Sequence, residues 1–294
     1  MRDRLVAATA ADGTIALIAG ITTDLVAETQ ARHELPPTAA VAVGRLVTAA
    51  ALLGPNLKGR ERISLQIASD GPIEGMIAEV MTLPDHAVGV RGYARNPRAD
   101  LPLTSEGGFD VRRLVGRGKL QVTKSHEVGQ PYVGIVNLAT SEIGGDVAAY
   151  FAYSEQVPSV VAVGVHLDAG GVRAAGGVMA HVLPGAADET IGRLEENANR
   201  MDPVTVQLTQ GGEAEALADA ICAGLPAKWI GEYDVLFACR CTREKVETAL
   251  LGLGPDELLK IAREQPQTEA TCEFCRRTWV LSSAEVSDLA GRMR

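Results

Sequence analysis

The sequence lacks an excess of basic residues. Its 28 lysines and arginines stand against 37 aspartates and glutamates, which gives a formal net charge of -9 at pH 7. Affinity for phosphate backbones comes mainly from clustered Lys and Arg side chains that release counterions. The acidic balance therefore argues against a protein whose main partner is nucleic acid.

The sequence also lacks an uninterrupted apolar run of the length that a signal peptide or a membrane span needs. The short apolar stretch after Arg4 is broken by Asp12 and Gly13, whereas a signal peptide requires a continuous apolar region. The longest apolar segment, 39–54, has Arg45 in its middle and is shorter than the ~20 residues of a spanning helix. We expect a first strand, a buried core helix and a cytoplasmic protein that does not contact membranes.

Sequence motifs for enzymatic catalysis are missing as well. The five histidines are scattered, and no serine or carboxylate stands at a spacing that indicates a triad; they are His33, His86, His126, His166 and His181. The segment "GPNLKGRE" lacks the Lys-Ser/Thr of a phosphate loop, and "GGVRAAGG" lies in a predicted hairpin. These absences predict a protein that is not an enzyme.

The chain has 294 residues, 46% of them hydrophobic, which is enough for a real core and for two or more units. Asp12-Gly13 between two apolar stretches predicts an opening β-hairpin. Thr22, Thr23 and Asp24 predict a cap for a helix that ends near His33, and Pro36-Pro37 begins an Ala-rich helix. Alternating and apolar segments predict further strands, so residues 1–184 form an α+β core domain with an antiparallel sheet.

Two smaller regions follow this core domain. Residues 185–232 contain two short amphipathic stretches separated by Gln210-Gly211-Gly212. Their thin apolar faces predict a helical linker that is stable only against the core domain. Residues 233–294 form the predicted C-terminal domain, with helix starts at Thr242, Gly254-Pro255 and a capping box at Ser282 and Glu285. Its expected core includes Val235, Leu236 and Phe237.

Four of the five cysteines fall in this C-terminal domain. They form a Cys-x-Cys pair, Cys239 and Cys241, and a Cys-x-x-Cys pair, Cys272 and Cys275, with 30 residues between the pairs. A structural zinc site, a disulfide framework and a redox device all use such pairs. In a cytoplasmic chain, tight cysteine pairs indicate metal binding or redox chemistry more than structural disulfides.

A zinc site explains the pattern best. A domain of this size rarely folds without a disulfide or a structural metal ion. Four thiolates complete the tetrahedral shell of a closed structural Zn²⁺ site. Basic residues flank the cysteines and favour the thiolate form that oxidants attack; they are Arg240, Arg243, Lys245, Arg276 and Arg277. Cys222 lies beside Ile221 on the apolar face of the linker, and we interpret it as a buried hydrophobic residue.

Two alternatives use the same cysteines. A zinc-containing dithiol oxidoreductase requires Cys272 and Cys275 at the start of a helix, whereas "CEFCRRTW" is typical of a knuckle that leads into a strand. A zinc-ribbon module for nucleic acid is disfavoured by the acidic charge balance.

Over nearly its whole length the chain resembles the heat-shock protein 33 family of redox-regulated holdase chaperones. The resemblance rests on the cysteine spacing and on ordered motifs in the core domain. They are "LLGPNLKGRERISLQIASDGPI", "VRGYARNP", "GRGKLQVTK", "QPYVGIVNL", "YFAYSEQVPS" and "GGVMAHVLPGA".

This resemblance implies a function and its regulation. Reduced Cys239, Cys241, Cys272 and Cys275 would hold one Zn²⁺ in an inactive chaperone. Oxidation would form the disulfides Cys239–Cys241 and Cys272–Cys275 with release of zinc. The C-terminal domain and the linker would then unfold, homodimers would form, and unfolding client proteins would be held without ATP.

Overall fold

A computed structural model describes residues 2–126 and 129–293. The chain divides into two compact units, one that ends at Ala238 and one that begins at Cys239. The mixture of a large sheet, helices and a small C-terminal unit confirms the predicted α+β class.

The first unit is built on a ten-stranded sheet. Its strands, in chain order, are β1 Arg4–Ala10, β2 Ile15–Ile21, β3 Arg62–Ser69, β4 Gly75–Thr82, β5 Val88–Ala94, β6 Gly118–Ser125, β7 Tyr132–Asn137, β8 Ser159–Asp168, β9 Gly171–Val182 and β10 Ala227–Phe237. The strand order across the sheet is β7-β6-β3-β4-β5-β10-β1-β2-β9-β8. Every pairing is antiparallel except that of β10 with β5.

Seven α-helices accompany this sheet in the part of the chain that the structure describes. They are α1 Thr23–His33, α2 Pro37–Leu52, α3 Val111–Val115, α4 Gly144–Tyr150, α5 Asp188–Arg200, α6 Val204–Thr209 and α7 Ala214–Ile221. Helix α2 and the turn that follows it, Pro37–Asn56, are apolar and long enough to cross a membrane by length and composition alone. The most apolar 18-residue stretch of this segment is, however, 89% buried inside the protein. It is the predicted core helix.

The part of the sheet formed by β1, β2 and β9 carries apolar layers on both of its faces. Along β1, Leu5 and Ala7 pack into the core that contains α1 and α2, while Val6 and Ala8 pack into a second core on the opposite face. Strands covered on both faces read as near-continuous apolar runs, which is the pattern "LVAATA" of β1. The second core is covered by α5, α6 and α7, the helices of the predicted linker.

The linker differs in detail from its prediction. Two helices, α5 and α6, precede the Gln-Gly-Gly break, and α7 follows it, so three short helices replace the two expected stretches. Helix α5 buries only Leu194, whereas α7 buries Leu217 and Ile221 among others. The linker therefore depends on the sheet for its apolar contacts, as its thin apolar faces indicated.

The first residues of the predicted C-terminal domain lie in the sheet instead. Tyr233 and Val235 belong to β10, which pairs with β1 and with β5, and Val235 is buried in the main core. The expectation that Val235, Leu236 and Phe237 form the C-terminal core was therefore wrong. Val235 and Phe237 pack into the main core, whereas Leu236 is 44% exposed, so apolar character alone did not show which core takes up this segment or which of its side chains are buried.

Helix α1 begins differently from the expectation. Thr22 makes no side-chain cap, and the carboxylate of Asp3 instead accepts hydrogen bonds from the backbone N–H groups of Asp24 at 3.0 Å and Leu25 at 2.7 Å. Asp3 precedes β1 and is almost completely buried. Burial raises its pKa to about 6, against the lowering effect of these two hydrogen bonds.

The second unit contains three helices and a two-stranded sheet. They are α8 Arg243–Leu251, α9 Pro255–Glu264, β11 Gln267–Thr271, β12 Thr278–Ser282 and α10 Ser283–Gly291. The predicted caps are confirmed, because Thr242 accepts a hydrogen bond from Lys245 N–H and Ser282 forms a capping box with Glu285. The buried core is small and consists of Leu258, Leu281, Val286, Leu289 and Ala290.

Candidate metal centre

Local structure holds each cysteine pair in a tight segment of the second unit. Cys239 and Cys241 directly precede Thr242, the N-cap of α8. Cys272 and Cys275 lie in the connection between the antiparallel strands β11 and β12. Within that connection, Cys272 N–H donates to Arg277 O and Arg276 N–H donates to Cys272 O, both at 2.9 Å. Arg276 takes up a left-handed conformation with φ 59°.

The fold brings together sulfurs that stand 33 and 34 residues apart in the sequence. All four Sγ atoms lie within 4.8 Å of one another. The Sγ atoms of Cys239 and Cys272 are 3.8 Å apart, and those of Cys241 and Cys275 are 3.3 Å apart. No disulfide links any of the five cysteines, all of which lie in the described part of the chain.

The donor set fits a tetrahedral metal ion. Sulfurs placed about 2.3 Å from a common zinc ion in tetrahedral geometry are about 3.8 Å from one another. The Cys239–Cys272 separation has this value, and the Cys241–Cys275 separation of 3.3 Å is shorter. Four thiolates without histidine, carboxylate or water are the ligands of a closed structural site. Soft sulfur ligands also favour zinc over magnesium or calcium. The cluster is therefore compatible with a single bound metal ion.

Electrostatics opposes ionisation of the thiols in the metal-free cluster. Burial, reinforced by the neighbouring thiols, raises the pKa of Cys241 to about 12. Burial is also the main cause that raises the pKa of Cys275. Several thiols so close together cannot all ionise without a compensating positive charge. A metal ion supplies that charge and keeps coordinating thiols deprotonated.

The basic residues near the cysteines are largely engaged within the second unit. Arg243 contacts Glu247 at 3.1 Å and Glu285 at 2.6 Å. Lys245 Nζ donates to the Arg240 carbonyl at 2.6 Å, and the Arg277 guanidinium lies over the Trp279 ring. These contacts stabilise the structure around the two cysteine pairs. They explain the positions of these basic side chains without a separate role toward the thiolates.

The other cysteine and the histidines lie apart from this cluster. Cys222 is buried in the core beneath the linker, and burial raises its pKa to about 11, which confirms its interpretation as a hydrophobic residue. His181 Nδ1 lies 2.7 Å from Ser159 Oγ on the first unit. Burial lowers the pKa of His181 to about 4, so this ring is neutral at physiological pH.

One charged cluster on the first unit has no local signal in the sequence. Arg4 of β1 contacts Glu213, Glu215 and Glu232, which follow it by more than 200 residues. Only the pairing of β10 with β1 and the packing of α7 bring these side chains together, so residue spacing could not reveal them.

The sequence of this chain is similar to proteins of one family. A family model described as "Hsp33 protein" matches residues 3–282. The chain is 40% identical to the 33 kDa chaperonin of Acetivibrio thermocellus, with 97% of this chain and 96% of that protein covered. It is 38% identical to the 33 kDa chaperonin of Geobacillus kaustophilus, with 98% of each covered.

A solved structure agrees with these sequence matches. The fold is similar to the crystal structure of the 33 kDa chaperonin (heat shock protein 33 homolog) from Thermotoga maritima, with a TM-score of 0.89 and 31% sequence identity. The match covers 100% of this chain and 99% of that one. The chain therefore belongs to the Hsp33 family of chaperones.

Proposed function

We propose that this protein is an ATP-independent holdase whose activity is controlled by oxidation of Cys239, Cys241, Cys272 and Cys275. In the reduced protein these four residues hold one Zn²⁺ and the chaperone is inactive. The observation that carries the proposal is the convergence of the four sulfurs within 4.8 Å in one small unit. The relatives named as chaperonins support the general activity.

The four cysteines have two roles in this proposal. Zn²⁺, when bound, supplies a positive charge that keeps the four sulfurs as thiolates and cross-links the two knuckles. Thiolates are the species that oxidants attack. The residues that stabilise the fold of the second unit are thus also the residues through which an oxidant destabilises it.

Oxidation converts the four thiolates to two disulfides. Each disulfide forms when two thiolates lose two electrons, and one molecule of peroxide takes up these electrons with two protons to give two molecules of water. We propose the pairs Cys239–Cys241 and Cys272–Cys275. All four sulfurs lie within mutual reach, and once the unit opens, the closure of a short loop costs less entropy than the closure of a long one.

Loss of the metal then unfolds the second unit. Its buried core contains only five apolar side chains, whereas a structural zinc ion in a small module contributes ~10–16 kcal/mol that is also folding free energy. A disulfide returns about 3 kcal/mol, and less when it joins near neighbours. The reduced, metal-bound form is therefore the only one in which we expect the second unit to be folded.

Unfolding of the linker uncovers the surface that holds clients. Release of α5, α6 and α7 exposes the apolar face of β1, β2 and β9, with side chains such as Val6, Leu17 and Val178. Exposed contiguous apolar surface is what an unfolding client binds, and what a second copy can cover. We propose unfolded proteins and a homodimer as the partners of the oxidised form. We further propose a cytoplasmic protein that is not an enzyme and has no nucleic-acid or membrane partner.

The experiment compares reduced and oxidised protein in an aggregation assay with a chemically denatured client enzyme. The reduced protein is expected to leave aggregation unchanged, and protein treated with peroxide at raised temperature is expected to suppress it without ATP. Equal suppression by both forms contradicts the redox control. Catalytic reduction of insulin that is lost in a Cys272→Ser variant supports an oxidoreductase instead.

A further inference from the structure

Arg4 is a largely buried cation in the first strand of the sheet. Its side chain is only 18% exposed. Its guanidinium makes two hydrogen bonds of 2.6 Å to the carboxylate of Glu215, one to each oxygen. Such bidentate, charge-assisted pairs are among the strongest hydrogen bonds of proteins and fix geometry as well as charge.

Two further carboxylates complete what we name the Arg4 cluster, which consists of Arg4, Glu213, Glu215 and Glu232. Glu213 Oε2 lies 2.9 Å from Arg4 Nη2, and Glu232 Oε1 lies 3.5 Å from Arg4 Nη1. The guanidinium lowers the pKa of Glu215. One cation thus holds three carboxylates in one place.

The members of this cluster come from two regions, the sheet of the first unit and the linker that is proposed to be released on oxidation. Arg4 belongs to β1 of the core domain. Glu215 lies in the first turn of α7, Glu213 is its N-cap residue, and Glu232 lies in β10. Glu213 and Glu215 therefore belong to the linker helices whose release is proposed, whereas Glu232 lies on β10, a strand of the same sheet as Arg4. The sheet contributes the positive charge of the cluster, and α7 with its N-cap contributes two of the three negative charges.

The charge balance makes the contact sensitive to the loss of its single cation. Without Arg4, three carboxylates remain near one another, and like charges in proximity repel. Glu215 also loses two charge-assisted hydrogen bonds at the edge of an otherwise apolar contact. The apolar side chains of α7 must then hold this end of the linker alone and against electrostatic repulsion.

We infer that the Arg4 cluster fastens α7 to the sheet and sets how readily the linker is released. This inference rests on the proposed function, in which linker release produces holdase activity. Arg4 acts as a positioning residue, because it determines where the linker lies and binds neither the metal nor a client. A weaker cluster lowers the oxidant dose and temperature at which the chaperone becomes active.

Hydrogen exchange of the reduced, metal-loaded full-length protein tests this role. We expect Arg4→Gln to accelerate amide exchange in α7, residues 214–221, by about 30-fold, which corresponds to about 2 kcal/mol. Exchange in β3, which is remote in the strand order, should remain as in the wild type. Glu215→Gln removes the negative charge and one of the two acceptor oxygens from the other side, and it keeps the test valid if Arg4→Gln folds poorly.

Arg2→Gln is the matched control. Arg2 also pairs with a carboxylate of β10, Asp234, but its side chain is 79% exposed, and exposed ion pairs contribute little to stability. We expect less than a threefold change for this variant. In a double-mutant cycle, Glu215→Gln should not accelerate exchange beyond that of Arg4→Gln, because the ion pair is already lost and one of the repelling carboxylates is removed.

The outcomes separate this inference from the function on which it rests. Exchange in Arg4→Gln that matches Arg2→Gln overturns the role of the Arg4 cluster, even if oxidation activates the wild type. Faster exchange together with activation at a lower peroxide dose supports it. An oxidised wild type without holdase activity contradicts the proposed function, while the exchange data still decide whether the cluster fastens the linker.

Discussion

Truncation of one buried leucine in the second unit should weaken metal binding from a distance. Leu281 of β12 is completely buried in the small apolar core of that unit. Leu→Ala substitutions at buried sites cost about 2–5 kcal/mol through lost burial and the cavity that remains. If the unit folds only when it binds metal, that cost appears in full as a loss of metal affinity.

The expected size of the effect follows directly. A cost near the middle of that range, about 3 kcal/mol, corresponds to an apparent zinc affinity about 150-fold weaker in Leu281→Ala. Competition of the reduced protein with a chromophoric chelator measures this affinity. Leu289→Ala in α10 removes a buried side chain of the same core and should behave in the same way.

Leu253→Ala provides the control within the same unit. Leu253 is 51% exposed, and substitutions at exposed positions usually change stability by less than about 0.5 kcal/mol. Its zinc affinity should remain within about threefold of the wild type. If Leu281→Ala binds zinc as tightly as Leu253→Ala, the second unit does not need the metal for its folding, and the coupling of metal loss to unfolding is refuted.

Three further predictions concern the first unit. The pKa of Asp3 is raised to about 6 from 3.8, so its contribution to stability is fully present below pH 3.8 and is lost as the pH rises through about 6. Asparagine does not titrate and keeps one of the two acceptor oxygens of this cap, so the free energy of urea unfolding of Asp3→Asn should gain about 3 kcal/mol relative to the wild type between pH 4 and pH 8. A difference that does not change with pH contradicts this. Cys222→Ala should leave zinc content and oxidative activation unchanged, because Cys222 is buried apart from the cluster; a loss of zinc in metal analysis speaks against that assignment. Gly192 lies inside α5, and a Cβ added there meets only open space, so Gly192→Ala should stabilise this helix by about 1 kcal/mol. Activation by peroxide should then be slower, and activation at the wild-type rate would show that α5 does not need to unfold.

The sequence predicted elements whose signals are local. Asp12-Gly13 located the first hairpin, and the side chains of Thr242 and Ser282 located two helix starts in the second unit. The spacing of the cysteine pairs likewise identified the four residues that the fold brings together. In each case the residues that determine the structure lie within a few positions of one another, or carry chemistry that few alternatives share.

Interactions between distant segments could not be predicted in this way. The cap of α1 comes from Asp3, which lies 20 residues before the helix start and has no spacing that marks it. The apolar end of β10 could fill either core, and only its parallel pairing with β5 assigns it to the first unit. The Arg4 cluster depends on the same placement of β10 and on the packing of α7.

The most direct test of the account follows zinc, thiols and holdase activity in one sample during oxidation. The reduced protein should contain one zinc ion per chain, five reactive thiols after denaturation, and no activity against aggregation. After treatment with peroxide at raised temperature, zinc should be released, one of the five cysteines should remain reduced, and suppression of aggregation should appear in parallel. Full suppression of aggregation by protein that still holds its zinc and all five thiols would contradict the account.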